Sequence, residues 1–205
     1  ITEEMFSEGA ITADYKLVEE LTLKINHMLD QAKSARIEKD GYSLELSLEG
    51  RKGVPSTGVY REAGQSGNLP SGEAYIAPLE DGTNGSMKID GSMVGIGRLK
   101  SPLYVKIKDG KLTEISGEDK DKVSILLENE RNATVGELGI GTNQAARLTG
   151  VILEDEKIYG TVHIAFGTNT SFGGTNKADC HLDGVILKPT LYLDDKLIIE
   201  NGEFV

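Results

Sequence analysis

The sequence has no tryptophan, one cysteine and five prolines among its 205 residues. The single cysteine, Cys180, excludes an intramolecular disulfide and a cysteine-rich zinc site. No apolar run approaches the ~18 residues needed to cross a bilayer, and no basic-then-apolar leader opens the chain. These absences argue against a membrane protein and predict a reducing, cytoplasmic location.

Positive charge is also scarce, with 22 Lys and Arg against 33 Asp and Glu and a net charge of −11. Such a surface repels phosphate backbones, so no nucleic-acid partner is expected. Glycine is abundant instead, with 25 residues, whereas aromatic residues make up 5%. This composition predicts many tight turns and a core of aliphatic side chains.

Hydrophobic periodicity predicts one long helix followed by many strands. Residues 11–35 carry Leu17, Leu21, Ile25 and Leu29 at helical spacing, with a second helix expected at 118–129 and a helical turn at 143–148. Strands are predicted at 44–48, 73–79, 86–89, 102–108, 112–115, 135–140, 160–166, 181–187 and in a closing hairpin at 192–199. The pattern predicts an α+β fold: a strand-rich domain with a mixed or antiparallel sheet, a long N-terminal helix and few other helices.

The length and the lack of a clear linker predict one domain over residues 1–205. The chain begins with Ile1 rather than methionine. We therefore expect an upstream N-terminal domain that is absent from this sequence, with residues 1–35 forming the connecting helix.

Two apolar strands carry histidines that suit a metal site. His181 and Asp183 are two residues apart at the head of one strand, so their side chains project from the same face. His163 lies in a second apolar run, followed by the glycine-rich loop 167–174. A connection of this length joins neighbouring strands, and the three side chains are therefore candidate metal ligands.

Two carboxylates also stand in unusual surroundings. Glu73 and Glu137 each follow a glycine and lie among small or apolar residues. A buried carboxylate costs several kcal/mol unless it is paired, hydrogen-bonded or bound to a metal. Both acids are therefore further candidate ligands.

Other chemistries find little support in the sequence. The Gly139-x-Gly141 pair follows a predicted strand, but Gln144 stands where a dinucleotide-binding loop needs its third glycine. No G-x-S-x-G motif marks a serine nucleophile. Cys180 and His181 are adjacent, and neighbouring strand residues point to opposite faces, so a packing role is favoured for the thiol.

Several motifs resemble the thermophilic metalloprotease, or aminopeptidase T-like, family of leucyl aminopeptidases. They extend from about residue 67 to residue 190 and read GNLPSGEAYIAP followed by EDGTNG, GELGIGTN, EKIYGTVHIAFGTN and FGGTNKADCHLDGVILKPT. The resemblance implies a metallo-aminopeptidase, a hydrolase that removes N-terminal residues from peptides. It further implies a catalytic domain with two divalent ions (zinc, cobalt or manganese), a peptide substrate and a possible homodimer.

Carried over motif by motif, the resemblance implies five metal ligands: Glu73, Glu137, His163, His181 and Asp183. In the implied mechanism two ions activate a water that attacks the peptide carbonyl. The general base would be an acid outside the ligand set, with Glu80, Asp81 and Glu62 as candidates. One position departs from the family, because Thr170 stands where its members carry a tyrosine seven residues after the first histidine.

Two alternatives stay open. Two histidines and one carboxylate also form the facial triad of mononuclear iron oxygenases, and relatives of this fold include ring-cleaving dihydroxypyridine dioxygenases. In that interpretation His163, His181 and Asp183 bind one Fe(II), while Glu73 and Glu137 have supporting roles. The third interpretation is a non-catalytic metal-binding module.

Overall fold

A computed structural model of the chain describes residues 2–205. It contains two α-helices, α1 (Tyr15–Gln31) and α2 (Ile152–Asp155), and short 3-10 helices at Glu4–Phe6, Gly9–Thr12, Lys120–Leu127 and Thr170–Phe172. The strands are β1 (Ser34–Lys39), β2 (Tyr42–Ser47), β3 (Val54–Ser56), β4 (Glu73–Ile76), β5 (Thr83–Ile89), β6 (Ser92–Met93), β7 (Gly97–Arg98), β8 (Leu103–Lys108), β9 (Lys111–Ser116), β10 (Val135–Gly141), β11 (Val162–Gly167), β12 (His181–Ile186), β13 (Thr190–Leu193), β14 (Lys196–Glu200) and β15 (Glu203–Phe204). The predicted strand-rich α+β class is confirmed.

The strands form two sheets. The larger has eight strands in the order β15-β14-β13-β1-β2-β5-β8-β9, and the smaller has seven in the order β3-β4-β10-β11-β12-β6-β7. All pairings between these strands are antiparallel within residues 2–205. The apolar faces of both sheets contribute to one buried cluster, which also receives Ile25 and Leu29 of α1. The opposite face of the smaller sheet carries polar residues.

Helix α1 is shorter than the predicted span 11–35. Asp14 caps its N-terminus by accepting a hydrogen bond from the backbone N–H of Lys16, and the helix ends at Gln31. The chain then enters β1, where Ala35 and Ile37 are buried in alternation. Residues 34 and 35, which the helical pattern had included, are therefore part of a strand, because β1 pairs with both β2 and β13.

The other predicted helices also differ. Residues 120–127 form a 3-10 helix with a kink at Val123 instead of an α-helix over 118–129. Residues 143–148 form a turn, and the helical residues follow at α2. The turn signals are better predictors: Asp109 and Gly110 join β8 to β9 with φ of 48° and 71°, as the predicted hairpin requires.

No helix among the described residues is long and apolar enough to cross a membrane. Ile1 lies outside the described residues, and the predicted connecting role of residues 1–35 stays a prediction.

Candidate metal centre

Four neighbouring strands of the smaller sheet build a polar face. Ala165 of β11 lies opposite both Glu137 of β10 and Asp183 of β12, and Gly141 of β10 lies opposite Glu73 of β4. Residues directly opposite each other share a face, and so do residues two apart along a strand. The register therefore places all five predicted metal ligands on one face: Glu73, Glu137, His163, His181 and Asp183.

The five side chains converge on a small region of that face. Glu137 lies between the two histidines, with its carboxylate oxygens 3.3 Å from the Nε2 atoms of His163 and His181. Asp183 Oδ1 is 3.4 Å from His181 Nε2, and Glu73 Oε2 is 3.6 Å from His163 Nε2. Ligand atoms of Glu137, His163 and Asp183 all lie within 4.8 Å of one another, as a shared metal ion would require.

Backbone contacts and burial orient the two imidazoles. His181 Nδ1 donates a hydrogen bond to the Thr168 carbonyl oxygen at 2.8 Å, which leaves Nε2 directed at the carboxylates. A backbone carbonyl on the far nitrogen is the usual support for a metal-binding histidine. His163 is fully buried, and its Nδ1 has no hydrogen-bond partner. Burial and the contact of its Nε2 with Glu137 therefore hold the ring.

Small residues leave room for the histidine rings. Gly139 lies opposite His163 in the β10–β11 ladder, and a Cβ built on Gly139 would be 2.1 Å from His163 Cε1 and Nε2. Gly139 and Gly141 are therefore strand residues beneath the candidate centre. They do not form the dinucleotide-binding loop that the spacing of the two glycines had suggested.

The carboxylates reverse the effect of burial on the two histidines. Burial by itself would lower the pKa of His163, but Glu137 and Glu73 raise it to about 9. The same competition, with Asp183 and Glu137 as partners, raises the pKa of His181 to about 11. Burial would raise the pKa of Glu137, yet both imidazoles together lower it to about 2. The face therefore favours positive charge at its centre, the property that a cation site needs.

The raised histidine pKa values predict a pH-dependent stability of metal-free protein. An unfolded histidine loses its proton near pH 6.5, whereas His163 keeps it in the folded chain up to about pH 9. The stabilisation is fully present below about pH 6.5 and is lost as the pH rises through the folded pKa values. In chelator, the loss of the His163 proton alone should lower the free energy of unfolding by about 3 kcal/mol between pH 6 and 9.5.

Urea unfolding at a series of pH values measures this change. The variant His163→Gln should show a shallower dependence on pH, while His27→Gln, which alters an exposed histidine on α1, should leave it unchanged. Stability that is constant or rises over this range would contradict the assignment of two protonated imidazoles.

The sequence patterns did not identify two further residues of this region, Lys157 and Glu156. Lys157, in the turn between α2 and β11, is fully buried and its Nζ lies 2.5 Å from Glu73 Oε1. The same ammonium donates a hydrogen bond to the carboxylate of Glu156. Burial would lower the pKa of Lys157, but the charges of these two acids raise it. Both residues lie within the EKIYG motif, and nothing in its spacing indicates that this lysine points inward.

Aromatic rings and a cavity adjoin the centre. Phe172 packs edge-on against His181 and Tyr75, with ring centroids 6.0 and 5.3 Å apart. A cavity of about 240 Å³ opens beside Glu73 and Tyr75. Thr170 is exposed, so the position of the family tyrosine offers no side chain to the centre.

Glu80 anchors the glycine-rich loop after β11. Its carboxylate accepts hydrogen bonds from the Thr175 backbone N–H at 2.6 Å and from Asn169 Nδ2 at 3.2 Å, and it pairs with Arg51. Asp81 and Glu62 are exposed. The general-base role predicted for these three acids stays a prediction.

Comparison with known proteins places the chain in a family. The model of the family described as NicX, 2,5-dihydroxypyridine 5,6-dioxygenase, matches residues 12–205. The chain belongs to this dioxygenase family. A 2,5-dihydroxypyridine 5,6-dioxygenase from Pseudomonas putida KT2440 is 26% identical over 196 residues, which cover 87% of this chain and 56% of that protein. The chain thus spans little more than half the length of this relative.

Solved structures show the same fold. A structure titled 2,5-dihydroxypyridine dioxygenase from Pseudomonas putida KT2440 superposes with a TM-score of 0.83 at 24% identity, covering 95% of this chain and 60% of that one. Wild-type AmpT from Thermus thermophilus superposes with a TM-score of 0.73 at 19% identity, covering 93% and 55%. At these identities the likenesses establish the fold alone.

The dioxygenase family corrects the expectation of a metallo-aminopeptidase. The predicted assignment to the aminopeptidase T-like family is wrong, and with it the hydrolase activity, the proteolytic function and the peptide partner. The alternative of a ring-cleaving dioxygenase agrees with the family. The physical reason for the error is that the motifs lie on the strands and loops of a fold that AmpT also has. Histidines and carboxylates on those strands suit either chemistry.

The histidine and carboxylate donors fit the single Fe(II) ion that a ring-cleaving dioxygenase would need. Two imidazole nitrogens and a carboxylate, here His163, His181 and Asp183, are the ligands of a non-haem Fe(II) facial triad. The raised pKa values of both histidines are the response of these donors to surrounding negative charge. The described residues therefore include groups able to hold a metal ion.

Proposed function

We propose that this chain is the metal-binding part of a ring-cleaving dioxygenase that holds one Fe(II) through His163, His181 and Asp183. The match of residues 12–205 to the dioxygenase family is the observation that supports this most strongly. The convergence of the three side chains on one sheet face supports it independently. Bound Fe(II) supplies the activation of dioxygen, and the protein supplies ligands, orientation and proton acceptors.

The side chains around the triad have distinct roles in this proposal. The Thr168 carbonyl keeps His181 in the tautomer whose Nε2 faces the centre. Glu137 accepts hydrogen bonds from both imidazoles and holds them together before metal binding. Proton loss from the imidazoles then accompanies metal binding, because only the neutral ring is a ligand.

The proposed substrate is a small dihydroxylated pyridine, the class named for the relatives. The cavity of about 240 Å³ beside Glu73 and Tyr75 is smaller than those that enclose drug-sized ligands and suits a single ring. Glu73 Oε2 is buried without a hydrogen-bond partner. It is therefore available to accept a hydrogen bond, or the proton, from a ring hydroxyl.

Iron loading and oxygen consumption test this function. Purified protein loaded anaerobically with Fe(II) should bind one iron per chain and consume one dioxygen per 2,5-dihydroxypyridine, with both atoms of ¹⁸O₂ recovered in the ring-opened product. A preparation without Fe(II) is the control. Two zinc ions per chain together with hydrolysis of a leucyl peptide, and no oxygen uptake, would contradict the proposal.

A metal-binding module is the second candidate. It is favoured by one observation, that the match covers 56% of the relative, so a large part of the longer protein lies outside the matched region. Stoichiometric Fe(II) binding without oxygen uptake would support it. The predicted homodimer and cytoplasmic location stay predictions.

A further inference from the structure

Two groups of potential metal ligands share His163. One consists of Glu137, His163 and Asp183, and the other of Glu73, Glu156 and His163. Within each group the ligand atoms lie within 4.8 Å of one another. By distance alone, the centre would therefore accommodate two divalent cations side by side, as in dinuclear hydrolases.

The second group already contains a cation. Lys157 Nζ lies 2.5 Å from Glu73 Oε1 and also donates to Glu156, so the ammonium takes up carboxylate oxygens that a metal would need. The side chain is fully buried. A charged lysine is stable there only because both acids compensate its desolvation. The remaining oxygen, Glu73 Oε2, is buried without a partner 3.6 Å from His163 Nε2.

Hydrogen bonds and close packing fix the backbone at Lys157. Its N–H donates to the Glu154 carbonyl at 3.0 Å, and its own carbonyl accepts from the Asn143 N–H at 2.9 Å. Gly141 lets this segment pack directly on β10, because a Cβ there would lie 2.0 Å from the Ile158 carbonyl oxygen. The backbone is thus fixed, and burial and the two ion pairs place the side chain against Glu73 and Glu156.

We propose that the ammonium of Lys157 takes the place of a second divalent cation and limits this centre to one metal ion. Lys157 is a positioning residue, since it is buried and acts through Glu73 and Glu156. The inference deepens the proposed function, because it explains how a face rich in carboxylates is restricted to one ion. It concerns the number of ions bound and does not depend on which reaction follows.

Titration with Co(II) alone tests the inference. The wild-type protein should bind no more than one Co(II) per chain at saturation, and Lys157→Ala should bind one ion more than wild type. Equilibrium dialysis with elemental analysis gives the counts, and magnetic coupling between neighbouring Co(II) ions in electron paramagnetic resonance shows that the added ion is adjacent. Adding Glu73→Gln to the Lys157→Ala variant should remove the gain.

Lys39→Ala is the matched control. Lys39 is another mostly buried lysine, paired with Asp90 at 3.1 Å, and its loss should leave the ion count unchanged. Two ions bound by the wild type would overturn the inference even if Lys157→Ala fails to fold. A folded Lys157→Ala protein with an unchanged count would also overturn it.

The outcomes separate this inference from the proposed function. A gain of one ion in Lys157→Ala, with no oxygen uptake by the iron-loaded wild type, would retain the inference and reject the dioxygenase. Oxygen uptake by the wild type with no gain in the variant would retain the dioxygenase and reject the inference.

Discussion

Replacing His181 with alanine is expected to lower the affinity for Fe(II) at least ~100-fold and to abolish ring-cleaving turnover. The substitution removes one of two imidazole donors, and loss even of an outer hydrogen-bond partner of a metal ligand typically costs 10–100-fold. It also removes the imidazole that lies 3.3 Å from Glu137 and 3.4 Å from Asp183, so the two carboxylates are left without this partner. Anaerobic Fe(II) titration and oxygen uptake measure the two losses.

His27→Ala is the control for this experiment. His27 is exposed on α1, where its nearest recorded partner is Gln31 at 3.1 Å. Its removal should leave iron binding and turnover unchanged. Normal iron stoichiometry and affinity in His181→Ala would refute the assignment of this histidine as a ligand.

Replacing Gly139 with alanine is expected to weaken iron binding and slow turnover. The added Cβ would approach His163 Cε1 and Nε2 to 2.1 Å, so the fully buried ring must be displaced from the centre. Gly139 has an ordinary strand conformation, which means that the penalty comes from the collision and not from the backbone. A displacement of about 1 Å at a catalytic group costs ~100-fold in activity.

We therefore expect Gly139→Ala to fold, to bind Fe(II) more weakly and to turn over about 100-fold more slowly than wild type. Gly53→Ala is the matched control. A Cβ at Gly53 would also be close to a side chain, 2.5 Å from Asn26 Oδ1, but Asn26 is only half-buried on α1 and lies outside the candidate centre. Equal iron affinity in Gly139→Ala and wild type would show that His163 is not constrained as described.

Local patterns were sufficient for the strands that carry the candidate ligands. The apolar run around His163 predicted one strand, and the spacing of His181 and Asp183 predicted a second strand with both side chains on one face. The isolation of Glu73 and Glu137 among small residues identified two acids that the sheet register then placed on the same face. These predictions succeeded because side-chain direction in a strand depends only on position along it.

The reaction was not determined by those same patterns. A strand-borne set of histidines and carboxylates is compatible with hydrolytic and oxidative chemistry, because both use imidazole and carboxylate ligands. The motif resemblance selected the hydrolase, and the family match over residues 12–205 corrected it to the dioxygenase family. The error lay in the chemistry, while the assignment of the metal ligands stays a prediction.

Helix ends and the acid–lysine group depended on contacts distant in sequence. The pairing of β1 with β2 and β13 shortened the predicted helix, since sheet hydrogen bonds outweigh helical propensity at residues 34 and 35. Lys157 lies 84 residues from Glu73 in the chain, yet the two charges are in contact. No local pattern carries information about such a pair.

By itself, then, the sequence determined the strand-rich class, the hairpin turns and a set of candidate metal ligands, because these follow from periodicity and side-chain chemistry. Only the tertiary structure decided that the five donors converge and that a lysine occupies the adjacent carboxylates. Convergence and charge compensation are set by how distant strands are packed together, and that packing is a property of the whole sheet.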